Sequence, residues 1–186
     1  MSNYHKQDSE KFVVGSGELY LGKINNPETA SEEEIVSALK NVGAIEAGAT
    51  LSYTPTIIDI EAANRGLIDR IVTREEVTFN CGIMTWLIDN LAVLSPASID
   101  VDEITGVKKV KIGGKTKLPV NYLRFLHEKK DGSGELIVNI AKAQSVNGFS
   151  LDFNKDNATS INYEFSALSD KSGNLVEIIE TFTNVE

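Results

Sequence analysis

The chain has 186 residues with 18 basic and 27 acidic side chains, a formal charge of −9. This length predicts one compact domain, and the acidic balance argues against a protein whose main task is to grip nucleic-acid phosphates. The single cysteine, Cys81, excludes an internal disulfide, and the absence of a leader or a long apolar run argues against secretion by the general pathway and against membrane spanning.

The first part of the chain predicts a polar arm, a strand and an acidic segment. Residues 1–12 are polar and charged, which is typical of an arm that stays free unless a partner orders it. Gly17 to Ile24 alternates apolar and polar residues, as a strand with one buried face does. Residues 25–41 form an acidic loop or insertion, in which Ser31 and Glu34 have capping-box spacing that predicts a short amphipathic helix.

A long β-hairpin is predicted over residues 45–80. Pro55 lies in its first strand and cannot donate to a ladder, so that strand is expected at a sheet edge or a bend. Val77 and Phe79 alternate cleanly with polar residues near the base, whereas the apolar residues nearer the turn keep no single register. We therefore expect the base to pack on the core and the tip to extend beyond it.

The pattern then changes to a period of 3.6 and predicts a helix over residues 82–94, with Trp86 as a core anchor. After a loop, five strands are predicted at Val107 to Ile112, Leu118 to His127, Glu135 to Ala141, Asn147 to Asn154 and Thr159 to Leu168. Hairpin turns such as Gly113-Gly114 join them. Together these elements predict a mainly β fold, an antiparallel β-sandwich or barrel with a long hairpin and one flanking helix.

Motifs that carry chemistry are incomplete. Gly114-Lys115-Thr116 lacks the earlier glycine of a phosphate loop, and the Asp152-Asn154-Asp156 spacing lacks the glycine and glutamate of a calcium loop. Cysteine catalysis would need Cys81 beside His5 or His127, and a small buried thiol is the simpler interpretation. We therefore predict a protein that is not an enzyme and has no cofactor or metal.

Several features in the middle of the chain occur together in a set order. A glycine-marked strand entry at Gly43 to Gly48 is followed by a strand with Leu51, Tyr53 and Pro55 at alternate positions, a turn at Arg65-Gly66, and Glu75-Glu76-Val77 before the predicted helix. In this order, Val42 to Leu94 resembles the tail tube proteins, or major tail proteins, of long-tailed bacteriophages. The opening strand and the closing strand pairs are loosely similar to the same family.

The resemblance implies a single tail-tube domain over residues 1–186, acting as a structural protein of the virion tail that is assembled in the cytoplasm of a host bacterium. Subunits of this family form hexameric rings that stack into a tube through which DNA passes during ejection, without specific binding. The implied partners are identical subunits, a tape-measure protein, a tail terminator and tail-tip or baseplate proteins, with a sheath if the tail contracts.

Self-assembly needs surfaces that a monomer leaves exposed, and a hairpin longer than its core is such a surface. We predict that the subunit interface contains Leu51, Tyr53, Ile57, Ile58, Ile60, Leu67, Ile68 and Ile71. The alternative, that these residues belong to the monomer core, stays open. The candidates for the channel surface are Glu46, Glu75 and Glu76, because an acidic channel would not hold DNA by counterion release.

Two other functions remain open at this stage. The chain has the same features that the tube subunit of a tailocin or another contractile injection system would need, since both assemble by the same physics. A monomeric β-sandwich that binds a ligand through its loops is an alternative of a different class, and it would stay monomeric at high concentration.

Overall fold

The computed structural model describes residues 16–129, 134–151 and 160–181, and the predicted arm at residues 1–12 lies outside them. The fold is mainly β, as predicted. The strands are β1 (Glu18–Gly22), β2 (Lys40–Asn41), β3 (Ile45–Ala62), β4 (Gly66–Ile83), β5 (Ala97–Asp102), β6 (Val107–Ile112), β7 (Asn121–Glu128), β8 (Glu135–Ser145), β9 (Ile161–Ala167) and β10 (Glu177–Glu180). The helices are α1 (Glu32–Ala38) and α2 (Leu91–Leu94), the latter preceded by a 3₁₀ turn at Ile88–Asn90.

The main sheet is antiparallel and has the strand order β2-β1-β7-β8-β9-β4-β3, with β10 pairing on β8. The rings of Phe79 on β4 and Phe125 on β7 lie 5.5 Å apart, although β8 and β9 separate their strands in the sheet. The sheet therefore folds over so that its two halves enclose one core, as in an antiparallel sandwich. β5 and β6 form a separate two-stranded sheet.

The core is built by alternation along neighbouring strands. On β4 from Val77 onward and on β9, every second residue is buried and the residues between them reach the surface. The buried set comprises Val77, Phe79, Cys81, Ile83, Ile161, Tyr163, Phe165 and Ala167. Phe79 pairs with Phe165, and Cys81 pairs with Tyr163. The prediction that the base of the hairpin packs on the core is confirmed.

β3 and β4 form the predicted long hairpin, with 18 residues in each strand. β4 starts at Gly66, whose φ of 70° is a conformation that favours glycine. β9 pairs with β4 only from Thr78 onward, and β3 is the edge strand that Pro55 predicted. Among the described residues, no further strand therefore pairs with either edge of the hairpin between Val77 and the turn. We call residues 55–75 the tip and the remainder of the hairpin the base.

The helix predicted over residues 82–94 is wrong in its first half. β4 continues through Ile83, which still pairs with Ile161 of β9, and helical structure begins only at Ile88. The apparent 3.6-residue period combines two buried sets with different origins. Ile83 is buried as a strand residue, whereas Leu91 and Leu94 are buried on α2.

The strand predictions needed two further corrections. Residues 97–102, predicted as loop, are β5, and β6 turns back onto it instead of pairing across Gly113-Gly114. The alternation of Ile99 with Asp100, which faces Lys109 across the pair, was a strand signal that the sequence already contained. Residues 147–151 are not a strand, because Gly148 turns the chain at a φ of 66°; residues 152–159 lie outside the described residues.

The acidic segment at residues 25–41 contains the predicted capping box and short helix. The Ser31 hydroxyl accepts from the Glu34 amide at 3.3 Å, and the Glu34 carboxylate accepts from the Ser31 amide at 2.9 Å. These bonds satisfy amides at the start of α1 that have no partner within the helix. The helix buries Ile35 against the body of the protein.

Candidate functional site

The predicted interface residues lie where a monomer does not cover them. Seven of the eight are exposed, with fractions of 40–58%, and they are Tyr53, Ile57, Ile58, Ile60, Leu67, Ile68 and Ile71. The eighth, Leu51, is half-buried and packs against the core. Val72, which was not predicted, is 50% exposed and belongs to the same surface. The monomer core thus does not contain most of the set.

The register of the tip places apolar side chains on both of its faces. Ile57 pairs with Val72 and Ile58 with Ile71, and paired residues share a face whereas successive residues do not. Ile57 and Val72 therefore continue the core face beyond the core, and Ile58 and Ile71 lie on the opposite face. A bulge at Thr73 shifts the register of β4 here. This shift explains why the sequence shows no single alternation near the turn.

Polar contacts hold the two strands of the hairpin together without covering these apolar residues. The Tyr53 hydroxyl donates to Glu75 at 2.8 Å, and this bond raises the pKa of Tyr53. Arg70 Nε lies 3.0 Å from Asp59 Oδ1, and both side chains of this pair are largely exposed. Exposed pairs of this kind contribute little to stability. They link the two strands and leave the apolar surface accessible.

In contrast to the apolar tip, the base of the hairpin is polar on the face that points away from the core. Opposite the core, β3, β4 and β9 present small hydroxyl and amide groups together with two carboxylates. We call this the polar face, and its residues are Thr50, Ser52, Thr54, Glu76, Thr78, Asn80, Asn162, Glu164 and Ser166. None of these positions holds a lysine or an arginine. Arg74, the next residue toward the tip on this side of β4, lies 3.6 Å from Glu76.

The structure separates the three channel candidates. Glu76 belongs to the polar face, and Glu46 lies beside it, since a Cβ at Gly82 would come within 3.3 Å of the Glu46 carboxylate. Glu75 lies on the other face of the hairpin, where it accepts from Tyr53. All three are exposed. Glu46 and Glu76 thus share a surface, and Glu75 does not contribute to it.

The acidic segment is attached to the sheet by buried or half-buried ion pairs. Arg124, with a side chain 9% exposed, binds both carboxylate oxygens of Glu32 and donates to Asn139 at 2.9 Å. Glu28 accepts from Lys142 Nζ at 2.8 Å and from the Lys171 amide at 3.0 Å. The bonds from Lys142 and Lys171 lower the pKa of Glu28 to about 2.

A cleft of about 400 Å³ lies beside these anchors, between Glu28 and residues 170–177. Its carboxylates are already engaged, because Glu28 binds the two lysines, Asp170 accepts from the Asn174 amide at 2.8 Å and Glu177 accepts from Asn139 at 3.2 Å. The cleft therefore lies along the polar seam that attaches the acidic segment. This geometry gives no separate reason to assign it a ligand.

Cys81 and His127, the two described residues that were considered for cysteine catalysis, are both buried. Cys81 is buried inside β4, and burial raises the pKa of its thiol to about 12. This is the opposite of the activation that catalysis needs. His127 is buried with Nδ1 2.7 Å from the Ser16 carbonyl, and His5 lies outside the described residues. In the part of the chain that is described, no cluster of metal-ligating side chains occurs.

The prediction that Trp86 anchors the core is wrong. It lies in the irregular segment between β4 and the 3₁₀ turn and is 49% exposed, beside the equally accessible Met84 and Leu87. Sequence reasoning missed this surface because it assigned these residues to a helix with a buried face. No local pattern in the sequence distinguishes such a helix from an exposed irregular segment that follows a strand.

No family model matches the chain, and a search of curated proteins gave no significant match. The helices found among the described residues are too short or too polar to cross a membrane.

Proposed function

We propose that the chain is the structural subunit of a phage tail tube, in which hexameric rings stack around a channel for DNA. The observation that carries this proposal is the tip of the β3–β4 hairpin, which extends beyond the core with apolar residues exposed on both faces. Contiguous exposed apolar surface on a folded protein is typical of an association site. A second copy of the same chain is the partner that the tail-tube resemblance implies.

Free strand edges support the ring. The outer edge of β3 has no partner in the described part of the chain, and neither has the edge of β4 that faces away from β3 between Gly66 and Val77. When neighbouring hairpins point the same way, β4 of one copy runs antiparallel to β3 of the next, so the two edges can pair. A closed ring of copies would leave neither of these hairpin edges exposed, which removes the aggregation risk that they carry.

The polar face supports the channel. Its hydroxyl, amide and carboxylate groups, with Glu46 beside them, offer DNA no row of cations that would release counterions and bind the phosphates. We therefore propose that Glu46, Glu76 and Glu164 face the channel, and we remove Glu75 from that set because it lies on the other face. DNA would pass such a surface without being held.

The remaining partners follow from this role. A tape-measure protein inside the tube, a terminator at one end and tail-tip or baseplate proteins at the other would each contact the same subunit, and a sheath would surround a contractile tail. A tailocin or another contractile injection system could use the same surfaces. The proposed location is the virion tail, with assembly in the cytoplasm of the host bacterium.

Negative-stain electron microscopy of the purified protein at several concentrations, with light scattering on the same samples, tests this proposal. We expect rings or hollow tubes whose abundance rises with concentration. A protein that stays monomeric at every concentration would contradict self-assembly through the tip and favour the monomeric binding module.

A further inference from the structure

Asn147 is the only asparagine of the chain that directly precedes a glycine, and it belongs to none of the surfaces described above. It is exposed in the bend that follows β8, two residues after Ser145. Asparagine is among the chemically labile residues of proteins, because the next backbone nitrogen lies close enough to attack its side-chain amide carbon. The fold decides whether that attack is possible.

Gly148 leaves the path of the attack open. It has no Cβ, and a Cβ at this position would have no atom beyond its chain neighbours within 4 Å. No other element therefore crowds the backbone nitrogen. The φ of Gly148 is 66°, a conformation that favours glycine. The bend thus requires the residue that least hinders approach to the Asn147 side chain.

No hydrogen bond restrains this pair in the described part of the chain. β8 pairs with β9 up to Ser145 and no further. Neither the Asn147 side chain nor the Gly148 amide donates to another described group. Rotation of the main chain that brings the Asn147 side chain onto the next nitrogen therefore breaks no hydrogen bond, and segments of this kind rearrange at little cost in free energy.

Asn64, in the turn of the long hairpin, is also exposed but is held differently. The amide of the next residue, Arg65, donates to the Ala62 carbonyl at 3.1 Å. The nitrogen that would attack Asn64 is therefore engaged, and the Arg65 side chain crowds it. Exposure does not distinguish Asn64 from Asn147; the free amide and the glycine do.

From these observations we infer that Asn147 is a site of self-modification, at which the chain converts its own asparagine to aspartate and isoaspartate. The Gly148 nitrogen loses its proton to base in the solvent and forms a bond to the Asn147 side-chain carbon. The side-chain nitrogen takes up a proton and leaves as ammonia. Water then opens the cyclic imide at either carbonyl carbon, giving aspartate at one and isoaspartate at the other.

Each conversion changes the charge and the main chain of this segment. It adds one negative charge to a chain with a formal charge of −9 and places that charge beside the exposed Val146. Isoaspartate also lengthens the main chain by one methylene shortly before Phe149, which packs against the core. We therefore expect forms that differ in charge and stability to accumulate with age. The reaction needs only water and base, so this inference does not depend on the proposed function.

Incubation of the full chain in heavy-oxygen water tests the inference. Tandem mass spectrometry follows entry of the heavy isotope at Asn147, with Asn64 as the control in the same molecule. An isoaspartate-specific methyltransferase identifies the isomer. Asn147→Gln is the matched variant, and it should show no conversion on this timescale because the longer side chain must close a larger ring. Circular dichroism before and after incubation checks that the protein stays folded.

We expect the isotope to enter at Asn147 several-fold faster than at Asn64, at a rate that rises with pH, and with isoaspartate among the products. A peptide of residues 143–151 gives the rate without the fold. Much slower conversion in the protein than in this peptide would mean that the fold restrains Asn147, and it would overturn the inference. Aspartate without isoaspartate would mean direct hydrolysis by water and would equally overturn the attack by Gly148.

Discussion

The base and the tip of one hairpin share two strands but have opposite environments. Val77 and Phe79 in the base are each 1% exposed, whereas Ile58 and Ile71 in the tip are 56% and 49% exposed. In both regions β3 pairs with β4, with bulges that shift the register. The difference arises because β9 and the opposite half of the sandwich cover the base and no described element covers the tip. Pairing in a sheet therefore does not bury a side chain; a second layer does.

This contrast has an energetic consequence. Covering a large apolar side chain contributes about 1.5–3 kcal/mol, and in the base that contribution stabilises the monomer. In the tip the same contribution becomes available only when another surface covers the residues. Changes in the base should therefore alter folding, and changes in the tip should alter association.

The largest expected effect is loss of assembly in the double variant Ile58→Asp with Ile68→Asp. Each carboxylate would be buried without a partner when copies associate, whereas both positions are exposed in the monomer. Light scattering and microscopy should show no assembly. Circular dichroism should show a folded monomer; an unfolded double variant would place these residues in the core and remove the distinction between base and tip.

Phe79→Ala should have the largest effect on folding. Phe79 is 1% exposed and contacts the Phe125 ring. Replacing a buried aromatic residue with alanine lowers the free energy of unfolding by about 3–5 kcal/mol, and we expect a loss in this range. Urea unfolding of the monomer gives the change directly. Ile71→Ala in the tip is the control and should stay within about 0.5 kcal/mol, so equal losses in both variants would contradict the comparison.

An ion pair on the sandwich and one in the tip should also differ in their contribution to stability, with smaller effects. Arg124→Ala removes a guanidinium whose side chain is 9% exposed, leaves the Asn139 carbonyl oxygen without this donor and removes the ion pair to Glu32 of α1. We expect a loss of roughly 1–3 kcal/mol, less than for a fully buried pair because Glu32 is 65% exposed. Arg70→Ala in the tip should change stability by less than about 0.5 kcal/mol. Urea unfolding of both variants is the measurement.

The smallest expected effect is a pH dependence that Glu28 confers. Its pKa is about 2 in the folded protein, below the ordinary value of 4.5, so its contribution is complete above the unfolded pKa and declines as pH falls toward the folded one. Glu28→Gln should therefore lower stability at pH 7 more than at pH 3. Thermal unfolding at both values measures this difference, and an equal effect at the two pH values would show that the ion pairs do not act through charge.

Local signals in the sequence accounted for the hairpin, for the capped helix α1 and for the edge position of β3. Alternation at Val77 and Phe79, the spacing of Ser31 and Glu34, and the missing donor of Pro55 each act within a few residues, so no distant contact is needed to interpret them. Seven of the eight residues of the predicted interface are exposed, and six of them lie in the tip, where the apolar run is longer than one core can cover.

Tertiary structure alone decided which neighbour each strand receives and therefore which surfaces remain open. The bulge at Thr73, the pairing of Ile83 with β9 and the exposure of Trp86 all depend on strands that are distant in the chain or on register. A residue's face in a sheet reverses with a shift of one position. A sequence specifies alternation locally, but the register and the covering layer are set only when the whole sheet forms.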